Sequence, residues 1–224
     1  MTTQATGKQE RVKIATPEFR ASFPSVFQAR KVNQTDPNEK AKFSIQMLFR
    51  VTETAESKKR GEKVVDITPL KQAVMKILAD KLGAGWQAEV RKTKGDGSPL
   101  YRLPFRNGDS PEKKDTEGYG PGIVFCTASS VMKPGVIDGQ KNDILDPADV
   151  YGGCYMRATV SPFWYDTRGN KGVSFGLQNI QKIRDGEPFS GRTKATDDFD
   201  AIEAPAGATA GAAAGAETGD PLGL

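Results

Sequence analysis

From residue 43 to residue 51 the chain alternates strictly: Phe43, Ile45, Met47, Phe49 and Val51 take one side, and Lys42, Ser44, Gln46, Leu48 and Arg50 the other. A repeat of two places successive side chains on opposite faces of a strand, whereas in a helix it would scatter the apolar groups around the axis. The segment therefore specifies a strand with one face in a core and one polar, basic face outside it.

The same period returns at 155–165. Met156, Ala158, Val160, Pro162 and Trp164 form the apolar set, with Tyr155, Arg157, Thr159, Ser161, Phe163 and Tyr165 opposite. A hairpin turn, Arg168-Gly169-Asn170-Lys171-Gly172, leads into Val173, Phe175 and Leu177 alternating with Ser174, Gly176 and Gln178. Phe19, Ala21, Phe23 and Phe27 fall mostly on one face of a further strand, which Pro24 interrupts as an edge or bulge would. Residues 123–131 read as a fifth strand, with Val124, Cys126 and Ala128 on one side. One helix opens at Thr68-Pro69, with Thr68 as N-cap and Pro69 in the first turn. Leu70, Val74, Ile77 and Leu78 recur along it at helical spacing, and Gly83 stops it. Lys58, Lys59, Arg60 and Lys63 fall in a loop before the helix; 85–122 and 135–149 also read as loops. The expected fold is mainly β: an OB-fold-like five-stranded Greek-key barrel with one amphipathic helix and a long loop.

Charge divides the chain. Residues 197–224 hold six acids and no lysine or arginine. All 32 basic residues precede them with 22 of the 28 acids, so the body carries +10 and the end −6. A basic body on an acidic Ala/Gly-rich tether suits a body that binds a polyanion, and a tail that competes for it or recruits other proteins. The expected organisation is a disordered N-terminus (1–14), a binding domain (15–192) and a flexible acidic tail (193–224).

Histidine is absent, which removes the commonest general base and metal ligand and excludes a Ser-His-Asp or Cys-His centre. An enzyme and a bound cofactor are accordingly not expected. Cys126 and Cys154 read as buried small hydrophobes rather than a disulfide framework and fit a reducing cytosol. No apolar run approaches the roughly 20 residues needed to cross a bilayer, and the polar N-terminal residues lack the apolar stretch of a secretory signal. Asp143, Asp146 and Asp149 form a spaced acidic set that could hold Mg²⁺ in a nuclease or resolvase, the alternative reading; Pro147 equally suits a turn or cap there.

Aromatics interleaved with lysine and arginine on barrel strands are what single-strand binding requires: bases stack on rings while cations follow the backbone. The candidate stackers are Tyr155, Phe163 and Tyr165, with Tyr101, Phe105 and Tyr119 from the long loop. Candidate phosphate partners are Arg50, Arg157, Arg168, Lys171, Lys182 and Arg184. Each ring could instead fill a core or an interface. Gly172 and Gly176 suit either a bend of a curved strand or close approach of a nucleic-acid backbone.

Three stretches go further. They are FRASFPSVFQARKVN with AKFSIQMLF after it, ILDPADVYGGCYMRATVSPFWYDTRGNKGVSFGLQNIQKIRDGEP, and DDFD. Across residues 11–203 the chain resembles a family of bacteriophage- and prophage-encoded single-stranded DNA-binding proteins with an OB-fold. The resemblance implies a protein of the bacterial host cytoplasm that coats single-stranded DNA without sequence preference and protects it in phage replication and recombination. It places Tyr151, Tyr155 and Arg157 (YGGCYMRA) on or beside the binding strand and Lys171 (GNKG) at a hairpin over the groove. It assigns contact with phage or host replication and recombination proteins to Asp197, Asp198, Phe199 and Asp200. The common OB order puts the helix after the third strand, whereas here it precedes the third readable one; either a strand lies within 85–122 or the order is a variant.

Overall fold

Alternation over eight or more residues produces every long strand of the barrel. The computed structural model describes residues 12–31, 35–36, 39–113, 115–167 and 169–189. The chain divides into two units, Met1–Gly191 and Arg192–Leu224, and only the first contains described residues. The tail, with Asp197, Asp198, Phe199 and Asp200, and the hairpin residue Arg168 lie outside the described residues.

In chain order the strands are β1 (Ile14–Ala15), β2 (Phe19–Arg30), β3 (Lys42–Arg50), β4 (Tyr101–Arg102), β5 (Arg106–Asn107), β6 (Ile123–Ser130), β7 (Gly135–Ile137), β8 (Tyr155–Thr167) and β9 (Asn170–Arg184). Helices α1 (Ala55–Lys59), α2 (Thr68–Leu82) and α3 (Trp86–Glu89) lie between β3 and β4. Five of the strands close on one another: β2 pairs with β3, β3 with β6, β6 with β9, β9 with β8, and β8 with β2. All these pairs are antiparallel except β6 with β9. Counted along the chain, the order around the barrel is first, second, third, fifth, fourth, and back to first, a Greek-key closure of the OB kind.

The inner face holds Phe19 and Ala21 from β2, Ile45, Met47 and Phe49 from β3, Cys126 and Ala128 from β6, Met156, Ala158 and Val160 from β8, and Val173, Phe175 and Leu177 from β9. Phe19 meets Phe49 edge to face at 5.7 Å. Helix α2 packs on β8 and β9 and adds Leu70, Val74 and Leu78 to the same core. Burying each such side chain is worth about 1.5–3 kcal/mol. The two cysteines are buried and free, and burial pushes both thiols up from their usual range.

Several sequence expectations change. Ile14, at the end of the segment expected to be disordered, is in β1 and pairs with Val160. The N-cap of α2 is Ile67, not Thr68; the Asp66 carboxylate accepts from the Thr68 amide at 2.8 Å, because an aspartate two residues back reaches a free first-turn N–H. Lys58 and Lys59 end a short helix, α1, started by a capping box between Thr54 and Ser57. The 135–149 segment contains β7 and a 3-10 turn, Pro147–Asp149. Among the described residues of 85–122 there is no barrel strand: β4 and β5 are two-residue pairings on β9 and β6. The helix therefore stands between the second and third barrel strands, and the topology is a variant.

Candidate nucleic-acid interface

Strand register brings five small residues into one row across the outside of the barrel. Ser161 pairs with Gly176, Gly176 with Ser129, Ser129 with Ser44, and Ser44 with Ser25. No side chain in this row is larger than serine; Ser161 at its end is fully buried, and along the part-exposed stretch from Gly176 to Ser25 a chain approaches the backbone closely. The row crosses all five barrel strands, among them the second and third, whose outer face binds oligonucleotides in OB barrels.

Phe163 and Tyr165 border the row on the hairpin side. The Phe163 ring lies over Gly176, whose Cβ, were there one, would sit 3.9 Å from it. Tyr165 stands opposite Gly172 in the register. Gly172 is required by a close approach: a Cβ there would come within 2.0 Å of the Arg102 carbonyl on β4. Lys171 is joined to Asp166 at 3.2 Å with both half exposed, and Lys94 reaches the Gly169 carbonyl. Tyr101 leans on Trp164 at 5.9 Å. These residues form one cluster at the hairpin.

The other end of the same strand pair holds a different group. Tyr155 pairs with Arg184 across the strands, and the Arg184 guanidinium stacks 3.3 Å from the Tyr155 ring centre while meeting Glu18 at 2.9 Å. Arg20 covers the ring from farther off, at 5.3 Å. Tyr155 is 7% exposed, so the face it shares with Arg157 is closed there by arginines rather than open. The Arg157 side chain is exposed and donates to Gln181 at 2.7 Å. The Tyr151 hydroxyl donates to Asp185 at 2.7 Å with Gly186 close by; burial, then the Asp185 contact, push its pKa up to about 12. Lys182 lies 5.7 Å over the same ring and pairs with Asp185. Ten residues of strand separate Tyr155 from Tyr165, roughly 33 Å at the rise of a strand, so the predicted residues make two clusters and not one.

Two predicted residues are committed elsewhere. Arg50 donates to Glu62 at 2.9 Å and to the Pro121 carbonyl at 2.7 Å, and Glu62 also meets Arg20 at 3.5 Å. Phe105 packs edge-on against the core ring of Phe175 at 5.7 Å. Both sit where the segment after β3 and the long loop fold back on the barrel, pairings a local pattern cannot show.

The lower outer face is covered as well. Leu48, Ile123 and Phe125 form a second small core on the outside of β3 and β6, closed by Tyr119 and Phe189. The Tyr119 hydroxyl donates to Gln46 and stands 3.1 Å from Ser22 Oγ; burial pushes its pKa up. What remains open is the upper half: Ser44, Gln46, Thr127 and Ser129. At its rim Arg30 pairs with Lys42 in the register, both exposed and neither in an ion pair among the described residues. Like charges set opposite each other cost stability unless an anion joins them. A cavity of about 680 Å³ beside Arg20 and Phe189 is lined by Glu56, Glu62, Asp115, Glu117 and Glu187 against three arginines, a poor seat for phosphate.

Sequence reasoning missed Phe23 and Lys113. Phe23 is 58% exposed, on a bulge, with the Lys113 ammonium 5.4 Å over its ring. The signal was Pro24: a bulge there adds one residue and reverses which face the preceding ring takes. Among the described residues no three acids or cysteines form a group able to hold a metal. Asp146 caps the 3-10 turn through the Ala148 amide.

Over residues 12–209 the chain matches the family described as Enterobacter phage Enc34, ssDNA-binding protein. A curated relative, "Putative protein p50" of Acyrthosiphon pisum secondary endosymbiont phage 1, is 29% identical over 195 residues, covering 85% of this chain and 94% of its own. Among solved structures, the single-stranded DNA-binding protein of bacteriophage Enc34 with its C-terminus truncated aligns with a TM-score of 0.56 at 18% identity, over 79% of this chain and 88% of that one. The same phage protein in complex with ssDNA gives 0.54 at 19%, over 80% and 89%. The single-stranded DNA-binding protein gp2.5 of bacteriophage T7 gives 0.52 at 11%, over 82% and 98%. These likenesses establish the shared fold, and the match along 12–209 establishes kinship: the chain belongs to the family of the Enterobacter phage Enc34 ssDNA-binding protein.

Proposed function

We propose that this protein binds single-stranded DNA without sequence preference, as a non-enzymatic coat that protects the strand during phage replication and recombination in the host cytoplasm. One observation carries the reading: in a member of this family, the row of small, part-exposed residues from Gly176 to Ser25 offers a backbone-deep lane flanked by rings and by the Arg30–Lys42 pair. Rings at a lane's edge suit bases of any identity, since every base has a stacking face. Phe163 and Tyr165 serve as stackers, with Lys171 and Arg168 at the hairpin. Tyr101, packed on Trp164, braces the same hairpin from the other face of β8. Contact with replication proteins through Asp197, Asp198, Phe199 and Asp200 belongs to the same proposal.

The test is binding of the full chain to labelled oligo-dT and to duplex at two salt concentrations, with Mg²⁺ added to one set. Tighter binding to oligo-dT, with log affinity falling by about 0.7 per contacted phosphate against log salt and no strand cleavage, is the expected result. Preference for duplex, salt-independent binding or Mg²⁺-dependent cutting overturns it.

A further inference from the structure

On β2 the register passes from Ser22 opposite Gln46 to Ser25 opposite Ser44, so two residues, Phe23 and Pro24, answer one on β3. Such a bulge reverses the facing of the strand. Ala21 before it and Val26 after it are both buried in the core. Phe23 is turned outward and its backbone sits at φ +45°, in the left-handed region that residues with a side chain seldom enter. Outliers of this kind persist where the surroundings hold them and gather at binding sites.

Folding alone does not account for a phenylalanine here. Glycine would hold the same backbone without strain, and the ring is 58% exposed instead of filling the core. What the ring does meet is a cation. Lys113 Nζ stands 5.4 Å from its centre and 4.8 Å from that of Tyr119, whose hydroxyl is fixed to Gln46. An exposed ring with an ammonium over it, beside Gln46 where the covered and open parts of the outer face meet, offers one surface to a flat apolar group and one charge to an anion. A nucleotide carries both.

We propose that Phe23 stacks a nucleobase of the bound single strand, with Lys113 taking a neighbouring phosphate. This rests on the ssDNA-binding reading. It extends the contact surface across the barrel, from the hairpin rings at one margin of the serine lane to the bulge at the other. The strained backbone then holds the ring out in advance of binding, which lowers the ordering cost when DNA arrives.

The experiment uses the full chain with Phe23→Gly, Phe23→Ala and Phe23→Trp, read by oligo-dT affinity, thermal melting, sedimentation and tryptophan emission against the wild type. Loss of one stacked base weakens binding roughly five- to hundred-fold. Phe23→Gly and Phe23→Ala should show that loss, with Phe23→Gly melting at or above the wild-type temperature because the strain is relieved. Phe23→Trp should keep the affinity and gain emission that oligo-dT quenches. Wild-type affinity in Phe23→Gly together with unquenched Phe23→Trp emission overturns the inference while leaving ssDNA binding intact. A change of oligomeric state in Phe23→Gly makes the ring a contact between copies and also overturns it. A wild type that fails to bind oligo-dT sinks the parent reading instead.

Discussion

Arg184 lies on the face of Tyr155, its guanidinium carbon 3.3 Å from the ring centre, and the two are paired across β8 and β9. The contact closes over a ring that alternation alone would leave outside. It separates Tyr155 from Phe163, eight residues along the same strand and half-buried over Gly176. The two rings should respond differently to truncation. Tyr155→Ala should cost about 3 kcal/mol of stability, as loss of a buried aromatic does, and lower the melting temperature visibly. Phe163→Ala should melt close to the wild type yet weaken oligo-dT binding by about 1–3 kcal/mol. Melts run beside binding curves decide; equal loss of stability in both would make Phe163 a packing residue.

Glu62 is nine-tenths buried and holds both Arg20 and Arg50. Removing its charge leaves two guanidinium groups near the barrel surface without their counter-ion. Breaking a buried pair from one side costs about 3–5 kcal/mol; partial exposure of Arg50 puts Glu62→Gln at the lower end. Denaturant unfolding measures this. The salt slope of DNA binding should stay unchanged, since these charges are already neutralised.

Arg30 and Lys42 make the opposite case. They face each other without an acid among the described residues, so each is free to neutralise phosphate. Lys42→Ala should weaken oligo-dT binding uniformly across sequences and reduce the log–log salt slope by about 0.7. It should leave stability level or slightly raised, because a like-charge cross-strand pair is relieved. An unchanged slope removes this corner from the interface.

The long strands were legible because alternation persists for eight residues or more, and the even-numbered core of 155–165 follows from it directly. What escaped was set by partners far along the chain. The fate of Arg50 depends on Glu62 and Pro121, that of Phe105 on Phe175, and that of Tyr155 on Arg184; no local pattern encodes such meetings. Strands β4, β5 and β7 are too short to show a period. Phe23 was misplaced because the interruption expected at Pro24 already includes Phe23, where one inserted residue inverts the facing of the ring before the proline.

Tyr151 supplies a pH test. Its hydroxyl is desolvated and donates to Asp185, which raises its pKa from about 10 to about 12 in the folded state. A raised folded value means that the folded chain keeps its proton where the unfolded chain has lost it. The contribution is therefore complete below pH 10 and disappears as pH climbs from about 10 to about 12. Wild-type melting temperature should fall faster over that window than that of Tyr151→Phe, and the two should run parallel below it. Parallel curves throughout would mean that the phenol titrates alike in both states.

The acidic end offers the last prediction, and it rests on charge. The body carries +10 and residues 197–224 carry −6. A tethered segment meets its own body at an effective concentration of roughly millimolar, so this one is expected to compete with DNA phosphates for the same lysines and arginines. Deleting 197–224 should tighten oligo-dT binding, most at low salt, where the Debye length is longest. The difference should shrink as salt rises toward about 1 M and screening falls to about 3 Å. Restoring the segment with its six acids changed to amides should reproduce the deletion, which separates charge from length. Equal affinity of the full and shortened chains at low ionic strength would end the competition model and leave the tail as a contact for other proteins alone.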